Sequence, residues 1–205
     1  RVNTDLAWAF IRRGDYLAAR EYLEKGLAVA QRYGHSELEV LALFRLAHTN
    51  MYDFHFDEAH RLYSAAAEVA SRTQNQWKEG EIVGSLGVLC SRRGQPRKAL
   101  HYYQRALDIH RKWSNPMLEA IWLNCIGFDH LTLLEFDLAS AALHKASRLF
   151  RELGLGLRHA WTIGHLAELQ CAKGNFELAL QYANQSQDIL KDSDDCRAKA
   201  YLSTV

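Results

Sequence analysis

Gly94-Gln-Pro96-Arg-Lys-Ala99 is one of five related stretches that recur along this chain of 205 residues. The other four are Gly14-Asp-Tyr16-Leu-Ala-Ala19, His55-Phe56-Asp-Glu-Ala59, Glu135-Phe136-Asp-Leu-Ala139 and Gly174-Asn-Phe176-Glu-Leu-Ala179. Each ends in an alanine, and successive alanines are forty residues apart. A fixed period in this range is typical of proteins built from stacked repeats.

Each forty-residue repeat contains two amphipathic helical patterns. In the second repeat, Leu43, Leu46 and Ala47 follow the three- and four-residue steps of a buried helical stripe, and Tyr63 and Ala66 form a second stripe after the alanine. The chain has only two prolines, each at a position that suits the first turn of a helix. These patterns predict an all-α chain of paired helices.

The residues at the ends of the helical patterns predict where the turns lie. Gly14, Gly94 and Gly174 predict the turn within a pair of helices, and Gly34 and Gly154 predict the turn between repeats. For the helix starts, Asn115 before Pro116 suits an N-cap, and Ser36 with Glu39 has the spacing of a capping box.

These residues give the chain its resemblance to the tetratricopeptide repeat family. That family's pattern is a bulky residue, Leu-Gly or Leu-Ala, an aromatic residue, Gly-x-aromatic-x-x-Ala, another aromatic residue and a second alanine. The first repeat matches it with Leu6-Ala7, Phe10, Gly14, Tyr16 and Ala19, and the third with Leu86-Gly87, Gly94, Ala99, Tyr103 and Ala106. The resemblance covers essentially the whole chain.

The resemblance implies a right-handed α-α superhelix of about five helix-turn-helix repeats plus a truncated sixth helix. The repeats are expected over roughly 1–34, 35–74, 75–114, 115–154 and 155–194, with a partial sixth at 195–205. The repeat is forty residues rather than the common thirty-four, so we expect helices of roughly 18 residues, or about 27 Å. Neither end carries a polar cap, so we expect one solenoid domain cut from a longer protein.

Composition and charge narrow the range of partners. The 25 basic and 24 acidic residues give a net charge of +1, which favours neither direct nucleic-acid contact by this segment nor binding to a membrane. Cys90, Cys125, Cys171 and Cys196 occur singly, and the first three fall in predicted first helices. This spacing predicts reduced, buried thiols and a cytoplasmic protein.

The sequence carries no recognisable catalytic or metal-binding motif. It has no glycine-rich phosphate loop, no Gly-x-Ser-x-Gly and no His-Glu-x-x-His. His48, His55 and His60 are spaced by seven and five residues, which does not place three imidazoles on one helix face. We therefore expect no enzyme, no catalytic or metal site and no cofactor in this segment.

The candidate partner-binding groove lies on the outward face of the first helix of each repeat, which lines the concave side in this architecture. The face is rich in aromatic residues with scattered arginine and histidine, the types that anchor protein interfaces. The alternative is that neighbouring first helices bury these aromatic residues. The candidate groove residues are Trp8, Arg12, Phe44, Arg45, His48, Met51, Tyr52, Arg92, Asn124, Phe128, Trp161 and His165.

Three functions remain open from the sequence. The first is a scaffold whose concave face binds a protein or peptide. The second is a ligand- or effector-sensing domain of a bacterial transcriptional regulator or signalling ATPase, similar to the maltose-regulon activator. The third is a structural or oligomerising spacer, and the uncapped ends predict self-association.

Overall fold

The structure is a computed structural model that describes the backbone of residues 2–192 and the side chains of residues 6–7, 9–11 and 13–191. Within that range the chain is all-α and forms ten helices in sequential antiparallel pairs, a solenoid-like array. The predicted partial sixth repeat, 195–205, lies outside the described residues.

The helices have nearly uniform length. After α1 (Val2–Arg13), every described helix has 17 residues, close to the expected 18. The first helices of the pairs are α1, α3 (Ser36–Tyr52), α5 (Gln76–Arg92), α7 (Pro116–Thr132) and α9 (Gly156–Ala172). The second helices are α2 (Tyr16–Arg32), α4 (Phe56–Arg72), α6 (Pro96–Lys112), α8 (Phe136–Glu152) and α10 (Phe176–Asp192).

A left-handed residue follows every helix from α1 to α9, and these residues are twenty positions apart. Glycine occupies five of the positions, including all five that the sequence predicted as turns. Phe54, Gln74, Ser114 and Leu134 occupy the others with φ between 49° and 60°. After α3, the His55 N–H donates to the Asn50 carbonyl at 2.8 Å and the Phe54 N–H to the Met51 carbonyl at 3.3 Å. This is the Schellman arrangement, which satisfies the last carbonyl groups of a helix.

The helix starts confirm one predicted cap and contradict the other. Asn115 accepts a hydrogen bond from the Leu118 N–H at 3.1 Å, and Pro96 and Pro116 are the first residues of their helices. The predicted capping box at Ser36 and Glu39 is wrong, because the N-cap of α3 is His35 and it makes no side-chain cap hydrogen bond. Ser36 is already helical, so its hydroxyl is one residue too late to cap the helix.

The five periodic alanines are packing residues. Ala19, Ala59, Ala99 and Ala139 are fully buried, and Ala179 is 7% exposed. Two glycines mark an equally close crossing within a pair. A Cβ placed on Gly127 would lie 2.5 Å from Leu143 Cγ, and one on Gly87 would lie 2.6 Å from Tyr103 Cε1. Small residues therefore let the two helices of a pair approach each other.

The chain divides into two compact units, Arg1–Ile109 and His110–Val205, each with its own core. The core of the first unit includes Tyr63, Leu23 and Met51. The core of the second includes Leu143 and Leu166. Between residues 2 and 192, no helix has both the length and the apolar character needed to cross a bilayer.

Candidate functional site

All twelve predicted groove residues belong to first helices. The side chains of Trp8 and Arg12 lie outside the described residues. Of the other ten, the structure brings two groups together, one in each unit. We call Phe44, His48, Tyr52, Lys78 and Arg92 the α3–α5 patch, and Asn124, Phe128, Trp161 and His165 the α7–α9 patch.

The α3–α5 patch is organised around an imidazole among aromatic rings. The ring centroid of His48 is 4.6 Å from that of Phe44 and 5.6 Å from that of Tyr63, both in edge contacts. Tyr52 stacks on the other side of His48 at 6.2 Å. These are the distances of favourable aromatic pairs, so they hold the imidazole in place.

Two cations of α5 lie over aromatic rings of α3. Lys78 Nζ is 4.5 Å from the ring centroid of Phe44 and pairs with Glu81 Oε2 at 2.6 Å. Arg92 Cζ is 5.1 Å from the ring centroid of Tyr52. Both are cation–π contacts, which join the two helices through charge as well as apolar packing.

The environment of His48 keeps its imidazole neutral. Burial, followed by the positive charges of Lys78 and Arg92, lowers the pKa of His48 from 6.5 to about 4. In the described part of the chain, the buried Nδ1 of His48 has no hydrogen-bond partner. An unsatisfied buried nitrogen costs stability, so this imidazole is held there by its ring packing.

Several predicted groove residues of α3 are packed inward rather than presented to a partner. Phe44 is 8% exposed and Met51 is 1% exposed. The Sδ of Met51 lies 4.0 Å from the hydroxyl oxygen of Tyr63. Arg45 and His48 are partly buried, whereas Tyr52 and Arg92 are exposed. The accessible part of the α3–α5 patch is therefore Tyr52 with Arg92 beside it.

The α7–α9 patch presents aromatic rings on both sides of a polar pair. Asn124 Oδ1 is 3.0 Å from His165 Nδ1, which joins α7 to α9. Phe128, one turn after Asn124, has its ring centroid 5.2 Å from that of His165. Phe128 is 40% exposed, and Trp161, one turn before His165, is 52% exposed.

The α7–α9 patch is neutral to acidic. Burial lowers the pKa of His165, which favours its uncharged form, and burial raises the pKa of Glu168, one turn later on α9. A Cβ on Gly164, which precedes His165, would meet nothing within 4 Å. The surface beside Gly164 is therefore open, and the uncharged imidazole adds no positive charge to it.

Models of one protein family match three segments of the chain. Each is described as a tetratricopeptide repeat, and the segments are residues 1–33, 83–115 and 118–192. Together with the paired helices, these matches decide the family. The chain is a tetratricopeptide repeat protein. Domains of this family generally bind proteins or peptides and are typically non-catalytic.

Solved structures share this fold at low sequence identity. BtubC from P. vanneervenii is 20% identical with a TM-score of 0.76, covering 90% of this chain and 76% of its own. A signal transduction ATPase with a tetratricopeptide repeat sensor, from Pyrococcus horikoshii, is 16% identical with a TM-score of 0.80; the match covers 98% of this chain and 30% of that one. A Rap protein complexed with competence and sporulation factor is 14% identical with a TM-score of 0.78, covering 93% and 56%. Among curated proteins, no sequence matches.

Sequence reasoning missed Lys78, the residue that covers Phe44. A signal was available, because Lys78 and Glu81 are three residues apart on one helix, the spacing of an ion pair. The spacing indicates the Lys78–Glu81 ion pair, but it gives no sign of the Phe44 ring that Lys78 covers. The contact with Phe44 depends on how α3 and α5 pack in this tetratricopeptide repeat protein.

The cysteines only partly follow the prediction of buried thiols. Cys90 is buried and Cys125 is half-buried, but Cys171 is exposed. Cys171 lies in the last turn of α9, at the register position that Met51, which is 1% exposed, holds in α3. Cys196 lies outside the described residues. Among side chains that the structure places, no group of three or more histidine, cysteine or acidic residues could hold a metal ion.

Proposed function

We propose that the chain is a non-catalytic scaffold that binds an extended peptide on the exposed faces of its first helices. One observation carries the proposal: Phe128 and Trp161 are exposed on either side of the Asn124–His165 pair. Large aromatic residues beside fixed polar groups are the usual anchors of a protein interface. The fold does not need these two rings, because α7 and α9 bury other residues.

The polar pair suits a peptide backbone. With Asn124 Oδ1 as the acceptor, the neutral imidazole of His165 carries its proton on Nδ1, which leaves Nε2 as an acceptor. The Asn124 amide nitrogen can then donate to a peptide carbonyl, while His165 Nε2 accepts from a peptide N–H. Phe128 and Trp161 supply flat surfaces for the apolar side chains of such a peptide.

The remaining groove candidates divide by accessibility. Tyr52 and Arg92 offer a second contact area, where the guanidinium over the ring suits an acidic or carbonyl-rich segment. Phe44 and Met51 are buried, and Arg45 and His48 are half-buried. These four residues therefore support that area by packing. For Trp8 and Arg12, a position in the groove remains a prediction.

The proposal is tested by selecting binders from a displayed library of random extended peptides. Phe128→Ala and Trp161→Ala should each weaken the selected peptides by roughly tenfold or more. The matched control is Trp113→Ala, because Trp113 is 56% exposed in the same unit but follows a second helix, α6. Selected peptides that bind both variants as tightly as the unmodified chain would contradict the proposal. Failure to select any peptide would favour a spacer.

A second candidate function is an effector sensor within a larger regulator. It is favoured by the similarity to the repeat sensor of a signalling ATPase and to a Rap protein bound to competence and sporulation factor. Hydrogen exchange with a selected peptide separates the two functions. A scaffold should gain protection only in α7 and α9, whereas a sensor should also change protection in helices that do not touch the peptide.

A further inference from the structure

A second apolar surface lies at the turns within the helix pairs of the second unit. We call Leu134, Phe136, Leu138, Phe176 and Leu178 the turn edge. Leu134 is 68% exposed, Leu138 55%, Phe176 69% and Leu178 38%. Contiguous exposure of large apolar side chains is unusual for a surface that meets only water.

Two shallow depressions follow this edge one after the other. The first has a volume of about 390 Å³ and is lined by residues 134–138 together with Lys173. The second has a volume of about 470 Å³ and is lined by residues 174–178 together with Gln181. Lys173 of the first depression directly precedes Gly174 of the second, and we call the two depressions together the strip.

Leu134 is costly for the isolated fold. It has φ of 60° at the turn position that glycine holds in three other pairs (Gly14, Gly94 and Gly174) and that Phe54, also with φ of 60°, holds in the remaining one. A left-handed conformation costs a side chain such as leucine roughly 1–2 kcal/mol, and exposure recovers none of it through burial. Neither backbone geometry nor core packing therefore explains a leucine here, whereas a bound partner would.

The charge of the strip indicates what would bind. The sequence Phe136-Asp137-Leu138 opens α8, and Phe176-Glu177-Leu178 opens α10. Asp137 and Glu177 are exposed. An acidic residue in the first turn of a helix stabilises that helix, which accounts for Asp137 and Glu177. The exposed leucines and phenylalanines beside them give the helix no such stabilisation.

The corresponding positions of α6 carry the opposite charge. There the same three positions read Pro96-Arg97-Lys98, which is basic and lacks large apolar side chains. In the first unit α4 opens with Phe56-Asp57-Glu58 after the exposed Phe54, so it shares the phenylalanine and the acidic residue. Among the second helices, the leucine at the third position is confined to α8 and α10.

We propose that the turn edge binds an amphipathic helix of a partner protein whose apolar face is flanked by lysine and arginine. The leucines and phenylalanines of the turn edge would pack against the apolar face of the partner helix. Asp137 and Glu177 would form ion pairs with its lysine and arginine residues. This surface lies at the helix turns, so it is separate from the first-helix faces to which the proposed function refers.

Fluorescence anisotropy with a labelled probe peptide tests the proposal. The probe is a 14-residue helical peptide with leucine along one face and lysine on both flanks, used with the full chain. Leu138→Ser with Leu178→Ser should weaken binding by at least roughly tenfold, and Asp137→Lys with Glu177→Lys should do the same. Circular dichroism verifies that the variants remain helical, which exposed positions should allow.

The matched control is Leu180→Ser, because Leu180 is 63% exposed on the same helix and lines neither depression. It should bind the probe as the unmodified chain does, and so should Phe128→Ala. An analogue of the probe with glutamate in place of lysine should not bind. The proposal is overturned if the probe does not bind, if the double serine variant binds it equally well, or if sedimentation shows that this edge is occupied by a second copy of the chain.

Discussion

The two first-helix patches share two register positions, on α3 and on α7, yet they use their aromatic residues differently. In the α3–α5 patch, Phe44 is 8% exposed beneath Lys78. In the α7–α9 patch, Phe128 is 40% exposed and Trp161 is 52% exposed. The first patch is closed by packing and charge, and the second stays open around a hydrogen-bonded pair.

The difference shows that register assigns a residue to a helix face but does not decide its exposure. Phe44 and Asn124 are equivalent, being eighty residues apart, and so are His48 and Phe128. In the second repeat the aromatic residue therefore comes one turn earlier on the helix, where it meets Lys78 and Tyr63. In the fourth repeat the earlier position holds a polar residue that bonds to His165.

The largest effect should come from truncating the buried aromatic residue. Phe44→Ala removes a ring from the core of the first unit and should lower the free energy of unfolding by about 3–5 kcal/mol. Phe128→Ala removes a partly exposed ring and should cost less than about 1 kcal/mol. Urea unfolding followed by circular dichroism measures both.

Comparable costs for these two substitutions would contradict the distinction between a closed and an open patch. Phe44→Leu is the matched control, because it keeps apolar volume beneath Lys78 and should recover much of the loss. The result also bears on binding experiments, since a variant that lacks Phe44 would lose stability as well as any contact with a partner.

The second prediction concerns the pH dependence of the closed patch. The pKa of His48 is about 4 in the folded chain, against an ordinary value of 6.5. Because the folded pKa is lowered, protonation favours the unfolded chain, so stability is lost as pH falls from 6.5 towards 4. At pH 5 this loss should be roughly 2 kcal/mol.

Urea unfolding at pH 8 and pH 5 measures the loss, with His48→Met as the comparison. Methionine fills a similar volume without a titrating group, so the variant should be less sensitive to acid than the unmodified chain by that amount. The difference at pH 8 reports packing alone. Equal acid sensitivity of the two chains would show that the imidazole of His48 is not buried as described.

The fold could be predicted from the sequence because its determinants are local and repeated. The alanines at forty-residue spacing and Gly14, Gly94 and Gly174 act within one helix pair, so their meaning is readable without the neighbours. The contents of the patches could not be predicted in the same way. Whether Phe44 is covered depends on Lys78 in the next repeat, a contact between side chains thirty-four residues apart.

The third prediction concerns the crossing of the two helices within a pair. If the crossing is equally close in both units, the units differ only in their outer faces. Gly87→Ala places a methyl group 2.6 Å from Tyr103 Cε1, and Gly127→Ala places one 2.5 Å from Leu143 Cγ. Each should lower the free energy of unfolding by at least about 1 kcal/mol, because a packed helix pair cannot easily move apart. Thermal unfolding of both variants measures the cost, and a cost in one unit but not the other would show unequal crossings.

The smallest effect should come from a glycine on the open patch. Gly164→Ala adds a methyl group that meets nothing within 4 Å, in the middle of α9. Alanine is a better helix former than glycine, so the variant should be more stable by about 0.5–1 kcal/mol. The opposite signs expected for Gly127→Ala and Gly164→Ala, in the same unit and by the same substitution, separate the packed side of the first helices from the open side. If Gly164→Ala also lost stability, the space beside His165 would be filled, and the α7–α9 patch would be closed like its counterpart.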